Sequence, residues 1–349
     1  MNKKISFLLA VLLSAFVISS CHRAYYNEGG WYTDLKDAKE VAQLEGKDIF
    51  FLVSLDDMGE DNNHTVFDVI KAEDFSQIVS NDYVLLNYNL KQEEFAAAQS
   101  DESARKALEK KMAVLSEYQI QGAPVVLLLT KEGYYIGSFT FNGPTQSRDL
   151  FDKIHEAAKD ASVLKESLAK VNDKSASKLD KVNAIEDIFN KTPDALKPVL
   201  VDLGRKVLTL DKKNESTFLP KYTMFTTEYD ARQDVFAKKF ASASKRFEKL
   251  AEKDFIDAEQ KQYYYYMAAY CLANEEDGNL KKAIVLMKKS VEADPESENA
   301  QMIQQQMAML EAMQNKEEIP EAQEELPVEG PELPPEQPAA EEVPLTEAQ

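Results

Sequence analysis

Two cysteines, three histidines, one tryptophan and eleven scattered glycines in 349 residues leave little room for most familiar chemistry. With only Cys21 and Cys271, the chain has no C-x-x-C pair, so dithiol–disulfide cycling within one molecule is excluded. The sequence also lacks H-E-x-x-H, G-x-S-x-G and a Walker loop, and no glycine-rich turn could cradle a phosphate. Basic stripes are missing as well. A formal charge of −20 repels phosphate backbones and argues against nucleic acid as a partner. What remains is 44% hydrophobic content, enough for real cores and for two domains plus tails.

The first residues read as a targeting segment. MNKK is a positive n-region, and ISFLLAVLLSAFV is an apolar run too short for a comfortable membrane span. The run ends in Ile18-Ser19-Ser20-Cys21, which resembles the lipobox of bacterial lipoproteins. The resemblance implies cleavage before Cys21, lipidation there (palmitate included), and a protein anchored outside the cytoplasm in the bacterial cell envelope. Multiple acyl chains, at about 0.8 kcal/mol per buried methylene, hold such an anchor firmly. An ordinary signal peptide or an uncleaved anchor with a chance cysteine is the alternative. Residues 1–20 are therefore expected to be the signal peptide and residues 21–30 a tether.

Hydrophobic patterning places the next elements. Residues 34–45 space Leu35, Ala38, Val41 and Ala42, with Leu44 at their edge, as one helix face after Thr33-Asp34, a capping pair. Residues 49–55 and 83–90 are near-continuous apolar runs suited to buried strands. Helices are predicted over 64–80, broken near Ala72-Glu73, and over 92–118 as one long charged element. Residues 124–130 and 134–140 flank Lys131-Glu132-Gly133 and read as a β-hairpin. A long helical region begins near Thr145.

This α-β-α-β-α-β-β-α order resembles the thioredoxin fold, a central mixed sheet flanked by helices, over residues 31–160. Trp31, Ala38, Ala42, Glu45 and Lys47 precede the first strand as in that family, and Tyr118-x-Ile120-x-Gly122-x-Pro124 matches its Y-x-V-x-G-x-P. The resemblance implies that Pro124 is the cis proline beside the active-site loop, along the peptide-binding surface. It also places the family's redox cysteines, counted back from Val66-Phe67, near Asp56 and Gly59. No sulfur stands there, so thiol–disulfide oxidoreductase activity is not expected. The loop's acids and Asn62–Asn63 suit helix capping. A cation is conceivable, although the spacing fails the D-x-D-x-D-G test.

Residues 161–316 carry almost no strand signal. Gln262–Pro295 resembles one tetratricopeptide repeat: Tyr265, Ala268, Ala269 and Leu272 suit its first helix, and Ala283, Met287 and Ser290 its second. A single repeat cannot bury its own face, so flanking helices such as 236–253 must stack on it. The run Tyr263, Tyr264, Tyr265 and Tyr266 points all around a helix; packing accounts for some of these rings, and a partner-binding aromatic patch for the rest. Residues 317–349 hold eleven Glu, seven Pro and no Lys or Arg, the composition of an acidic disordered tail.

These readings converge on a membrane-anchored lipoprotein that binds or scaffolds protein or peptide partners without catalysis, cofactor or metal. The first alternative is an enzyme or cation-binding protein using the acidic loop Asp56–Asp61 beside Pro124. The second is a redox role for Cys271 with a partner protein.

Overall fold

The computed structural model describes residues 30–55, 73–140, 147–275 and 279–317. Helix α1 (Leu35–Glu45) starts where the Asp34 carboxylate accepts the Lys36 N–H, and ends at Gly46 in the left-handed region, φ 72°. It buries Leu35, Ala38, Val41 and Ala42, whereas Leu44, in the last turn and off that face, is exposed. Strand β1 (Asp48–Leu55) is buried from Ile49 to Ser54, as its unbroken apolar run demands. After α2 (Glu73–Val79), β2 (Tyr83–Leu90) lies parallel to β1, with Phe51 opposite Leu86.

The single helix expected over 92–118 is two, α3 (Gln92–Ser100) and α4 (Glu102–Glu117). Asp101 divides them: its carboxylate accepts the Ser103 and Ala104 N–H groups at 2.6 and 2.9 Å. A short acidic side chain that satisfies the backbone this way competes with helix continuation. Strand β3 (Val125–Leu129) runs antiparallel to β1, and β4 (Tyr135–Thr140) antiparallel to β3. The sheet order is β2-β1-β3-β4. With helices on both faces, this is a thioredoxin-like domain.

The two faces hold different cores. Phe50, Leu52, Val126 and Leu128 meet Trp31 and Phe75, together with Leu150 and Ile154 of α5 (Ser147–Ala157). Gly137 lets α5 approach, since a Cβ there would lie 2.0 Å from the Ala157 carbonyl oxygen. On the other face Phe51, Val53, Leu86 and Leu127 pack under α1 and Leu115 of α4.

The remainder of the described chain is helical: α6 (Ala161–Asn172), α7 (Lys178–Lys191), a 3-10 segment (Asp194–Leu200), α8 (Val201–Leu210), α9 (Leu219–Phe236), α10 (Phe240–Ala251), α11 (Ala258–Ala273), α12 (Leu280–Ala293) and α13 (Ala300–Glu317). A division at residue 160 is not where the packing divides. Leu168, Val182, Ile185, Leu200 and Tyr222 belong to the same buried cluster as Phe51 and Leu86. A third cluster begins only at Ala231 and runs through Phe247, Tyr264 and Leu272 to Ile303. Helix α9 thus serves both, through Tyr222 near its start and Ala231 further on. Arg205 of α8 and Arg246 of α10 both bond Asp230 of α9, at 2.6 and 3.2 Å, and tie the junction together.

Candidate functional site

Helix α4 ends tightly at Tyr118, where Gln119 takes a positive φ of 53° and the Ile120 N–H returns to the Leu115 carbonyl at 2.8 Å. The buried Tyr118 hydroxyl donates to the Gly133 carbonyl at 2.6 Å, which pins this corner to the β3–β4 turn. Burial pushes that hydroxyl's pKa far up, so it stays a donor. The chain then passes Gly122 and the cis Ala123–Pro124 bond into β3.

Beside this corner lies a cavity of about 650 Å³. Ile120, Pro124 and Val125 supply apolar surface; Tyr135, Ser138 and Thr140 of β4 supply hydroxyls, with Tyr135 Oη and Ser138 Oγ 2.9 Å apart. The far wall is Pro193, Ala195 and Leu196, at the start of the 3-10 segment. None of the described lining residues is charged. Such a groove offers apolar contact and hydrogen bonding, and among its described lining residues no carboxylate, imidazole or amine stands beside the hydroxyls to activate them. Sequence patterning missed the wall, because nothing local tells which surface a proline-started turn will cover.

A polar patch was also missed. At the carboxyl ends of β1 and β2 the buried Ser54 hydroxyl lies 3.3 Å from Asn87 Oδ1 and 3.1 Å from Asn89 Oδ1. The signal was present: Asn at alternate positions of YVLLNYNL puts both amides on one face of the strand.

Other expected sites fare differently. Cys21, Asp56, Gly59 and the whole acidic loop lie outside the described residues. Among the described residues, no cluster of His, Cys, Asp or Glu is arranged to hold a metal ion. Cys271 is 1% exposed, and burial pushes its thiol up to about 11. Burial that shields the thiol and disfavours its thiolate argues against a redox role for this residue.

The four tyrosines of α11 split. Tyr264 is 3% exposed, stacks on Phe247 and donates to Glu228 Oε1 at 2.5 Å. Tyr265 and Tyr266 are half-buried against the same core, and Lys289 Nζ sits 5.3 Å from the Tyr265 ring centroid. Tyr263, at 50%, is the one most open to solvent. Most of the run is therefore packing rather than a display of aromatic rings.

The helices α11 and α12 carry the small residues expected of a tetratricopeptide-like pair, with Ala268, Ala269, Ala283 and Ser290 fully buried. Ser290 Oγ donates to the Gln262 carbonyl, and Gln262 Nε2 to the Asp294 carbonyl, both at 2.6 Å.

Comparison with known proteins adds three likenesses. Residues 219–318, from the first residue of α9 through α13, match a family model described as an uncharacterised protein C-terminal domain. Over 206 residues, 58% of this chain and 67% of the relative, the chain is 26% identical to an uncharacterized protein of Treponema pallidum (strain Nichols). Among solved structures it is similar to DsbH oxidoreductase, at 15% identity and a TM-score of 0.31, over 39% of this chain and 88% of that one.

Proposed function

We propose that this protein is a lipid-anchored component of the bacterial cell envelope that binds or scaffolds other proteins and catalyses no reaction. The observation that carries the reading is the groove beside Pro124. Among the described residues its lining carries neither charge nor sulfur, and it is walled by β4 on one side and by the 3-10 segment on the other. An extended, uncharged stretch of polypeptide suits its mixture of apolar surface and hydroxyls. The lipobox-like Cys21 supplies the anchor. A second reading, a cation or small ligand at Asp56–Asp61, draws support from Ser54, Asn87 and Asn89, which gather at the strand ends leading into that loop.

Deleting residues 161–316 would be a poor test, because Leu168, Val182 and Leu200 complete the sheet's own core. Photo-crosslinking side chains placed in the native membrane at Gln121, at Ser138, and at exposed Leu44 on α1 as a control test the groove directly. The same envelope proteins are expected from positions 121 and 138 and none from 44. Equal capture from all three, or none from the groove, would sink the binding role assigned to it. Cys21→Ser is expected to move the protein from the membrane fraction to the soluble one.

A further inference from the structure

The two edges of the sheet are finished differently. In the order β2-β1-β3-β4 the outer strands are β2 and β4. Along β2, Tyr32 donates to the Leu85 carbonyl at 2.8 Å and accepts from the Asn87 N–H at 2.9 Å, and Lys111 Nζ reaches the Asn89 carbonyl at 3.3 Å. Bonds from other elements thus cover that edge from Leu85 to Asn89. The register carries the same alternation across the sheet. Because Leu85 and Asn87 face Tyr32, β2 turns its even-numbered residues to β1. Strand β1 then bonds β3 through Phe51 opposite Leu127, and β3 bonds β4 through Val126 opposite Phe139. Ser138 and Thr140 therefore turn their N–H and C=O groups away from the sheet. Lys153 Nζ takes the Thr140 carbonyl at 3.2 Å. Among the described residues nothing bonds the Ser138 N–H, the Ser138 carbonyl or the Thr140 N–H.

An edge strand is normally blunted by charge or proline. Strand β4, YIGSFT, carries neither. A bulge at Leu128–Leu129 marks one end and Lys153 guards the other, which leaves the middle open. Ser138 and Thr140 also line the cavity beside Pro124 with their side chains, whereas Ile136 and Phe139 pack against the opposite core. The open edge and the uncharged groove are one surface.

We propose that β4 receives an extended, uncharged segment of a partner protein as a fifth strand, bonded through its backbone to Ser138 and Thr140. The inference rests on the binding role assigned to the groove and says how the occupant is held. Only a polypeptide backbone offers alternating donors and acceptors at the strand repeat these groups require. Alternate side chains of the added strand lean over the groove toward Pro193 and Leu196, which suits apolar residues at those positions. A cavity of about 650 Å³ admits one such segment, whereas a second copy would bring its own helix layers to the same short edge.

The test uses the full chain and the blocked peptide Ac-SVTVSVT-NH2 as probe. Two isomers of the probe are N-methylated at alternate residues, one on its valines and the other on its hydroxyl residues. Hydrogen exchange at the Ser138 and Thr140 amides should slow when the probe is present. An added strand turns every second amide to β4, so one isomer should bind as the parent does and the other at least about tenfold more weakly. Ser138→Pro removes only an outward N–H, a placement that edge strands tolerate. It should abolish this protection and the crosslinking from Gln121 while leaving the thermal melt nearly unchanged. The two isomers decide the matter even if that variant folds poorly. No slowing at either amide, or equal binding of both isomers, would overturn the proposal. So would concentration-dependent dimerisation that Ser138→Pro abolishes, since a second copy would then be the fifth strand. Capture from Gln121 that persists in Ser138→Pro overturns the added strand and leaves the groove's binding role standing. Absence of capture from Gln121 in the unaltered chain removes that role itself, and the added strand with it.

Discussion

Two of the three buried clusters among the described residues are built on different principles: the one under α1 that continues into α6–α9, and the one in the helical array. The one that covers the α1 face of the sheet uses large side chains: of its twenty-eight buried residues only Ala38, Ala42 and Ala184 are alanines. In the helical array, six of fifteen are alanines, among them Ala243, Ala268 and Ala283. A sheet face is a broad surface that bulky Leu, Val and Phe must fill. Stacked helix pairs gain their contact by letting backbones approach, so volume is the thing excluded. The first region should therefore suffer most from losing volume, and the second from gaining it.

The sharpest way to break this comparison is Phe51→Ala. Phe51 is fully buried, edge-on to Tyr88 at 4.9 Å and to Tyr118 at 6.2 Å, so its truncation should cost about 3–5 kcal/mol in denaturant unfolding. Leu200→Ala, in the same cluster but in the helical half of the sequence, should cost about 2–5 kcal/mol. Because the cluster is continuous, both variants should lose near-ultraviolet aromatic signal and helical signal together. If Leu200→Ala melts helices while the aromatic signal persists, the sheet and α6–α8 are separate units after all.

Ala268→Leu in α11 probes the opposite sensitivity. Ala268 is fully buried between closely approaching helices, so added methylenes should destabilise the array by about 1–3 kcal/mol. The same change at Ala104, a partly exposed position of α4, should be close to neutral. Equal costs at both sites would mean that the alanines of the array do not set helix spacing.

How much of this was legible in the sequence follows the same division. Strands β1 and β2 were readable because a strand covered on both faces must be apolar throughout. The α11–α12 pair was readable because small residues at fixed spacing mark a close approach. The cut at Asp101 was missed because periodicity carried across it, although an Asp followed two and three residues on by free amides is a cap in its own right. The union of α6–α9 with the sheet could not be read at all. Amphipathic spacing at Val182, Ile185 and Ile188 shows that a face is buried, not what buries it. The groove's wall at Pro193–Leu196 is invisible for that reason, and so was half the candidate site.

A smaller effect separates the regions by pH. Asp211, in the turn between α8 and α9, is buried, which works to raise its pKa. The Ser216 hydroxyl and the Ser216 and Glu215 N–H groups outweigh this and hold the carboxyl below its ordinary 3.8. A group depressed in the folded state stabilises above its unfolded pKa and loses that contribution as pH falls through the folded value. Asp211→Asn should therefore cost about 0.5–2 kcal/mol at pH 7, by analogy with a lost cap. It should cost progressively less as pH drops below 3.8. A cost that stays constant down to pH 2 would show that the charge is not what matters. Asp34 and Asp101, also lowered, keep part of the acid dependence in the variant.

The finest comparison lies within the four-tyrosine run of α11. Tyr264→Phe removes the hydroxyl bonded to Glu228 and leaves the ring stacked on Phe247, so a loss of about 1 kcal/mol is expected. Tyr263→Phe, at a half-exposed position, should fall within about 0.5 kcal/mol. The pair is best read by denaturant midpoints, where two neighbouring residues of one chemistry differ in burial and in what their hydroxyls meet. A partner that docked on the run would reverse the order in a binding assay, since Tyr263 is the ring most available to it. If Tyr263→Phe leaves partner capture unchanged, the aromatic run belongs to the array's packing.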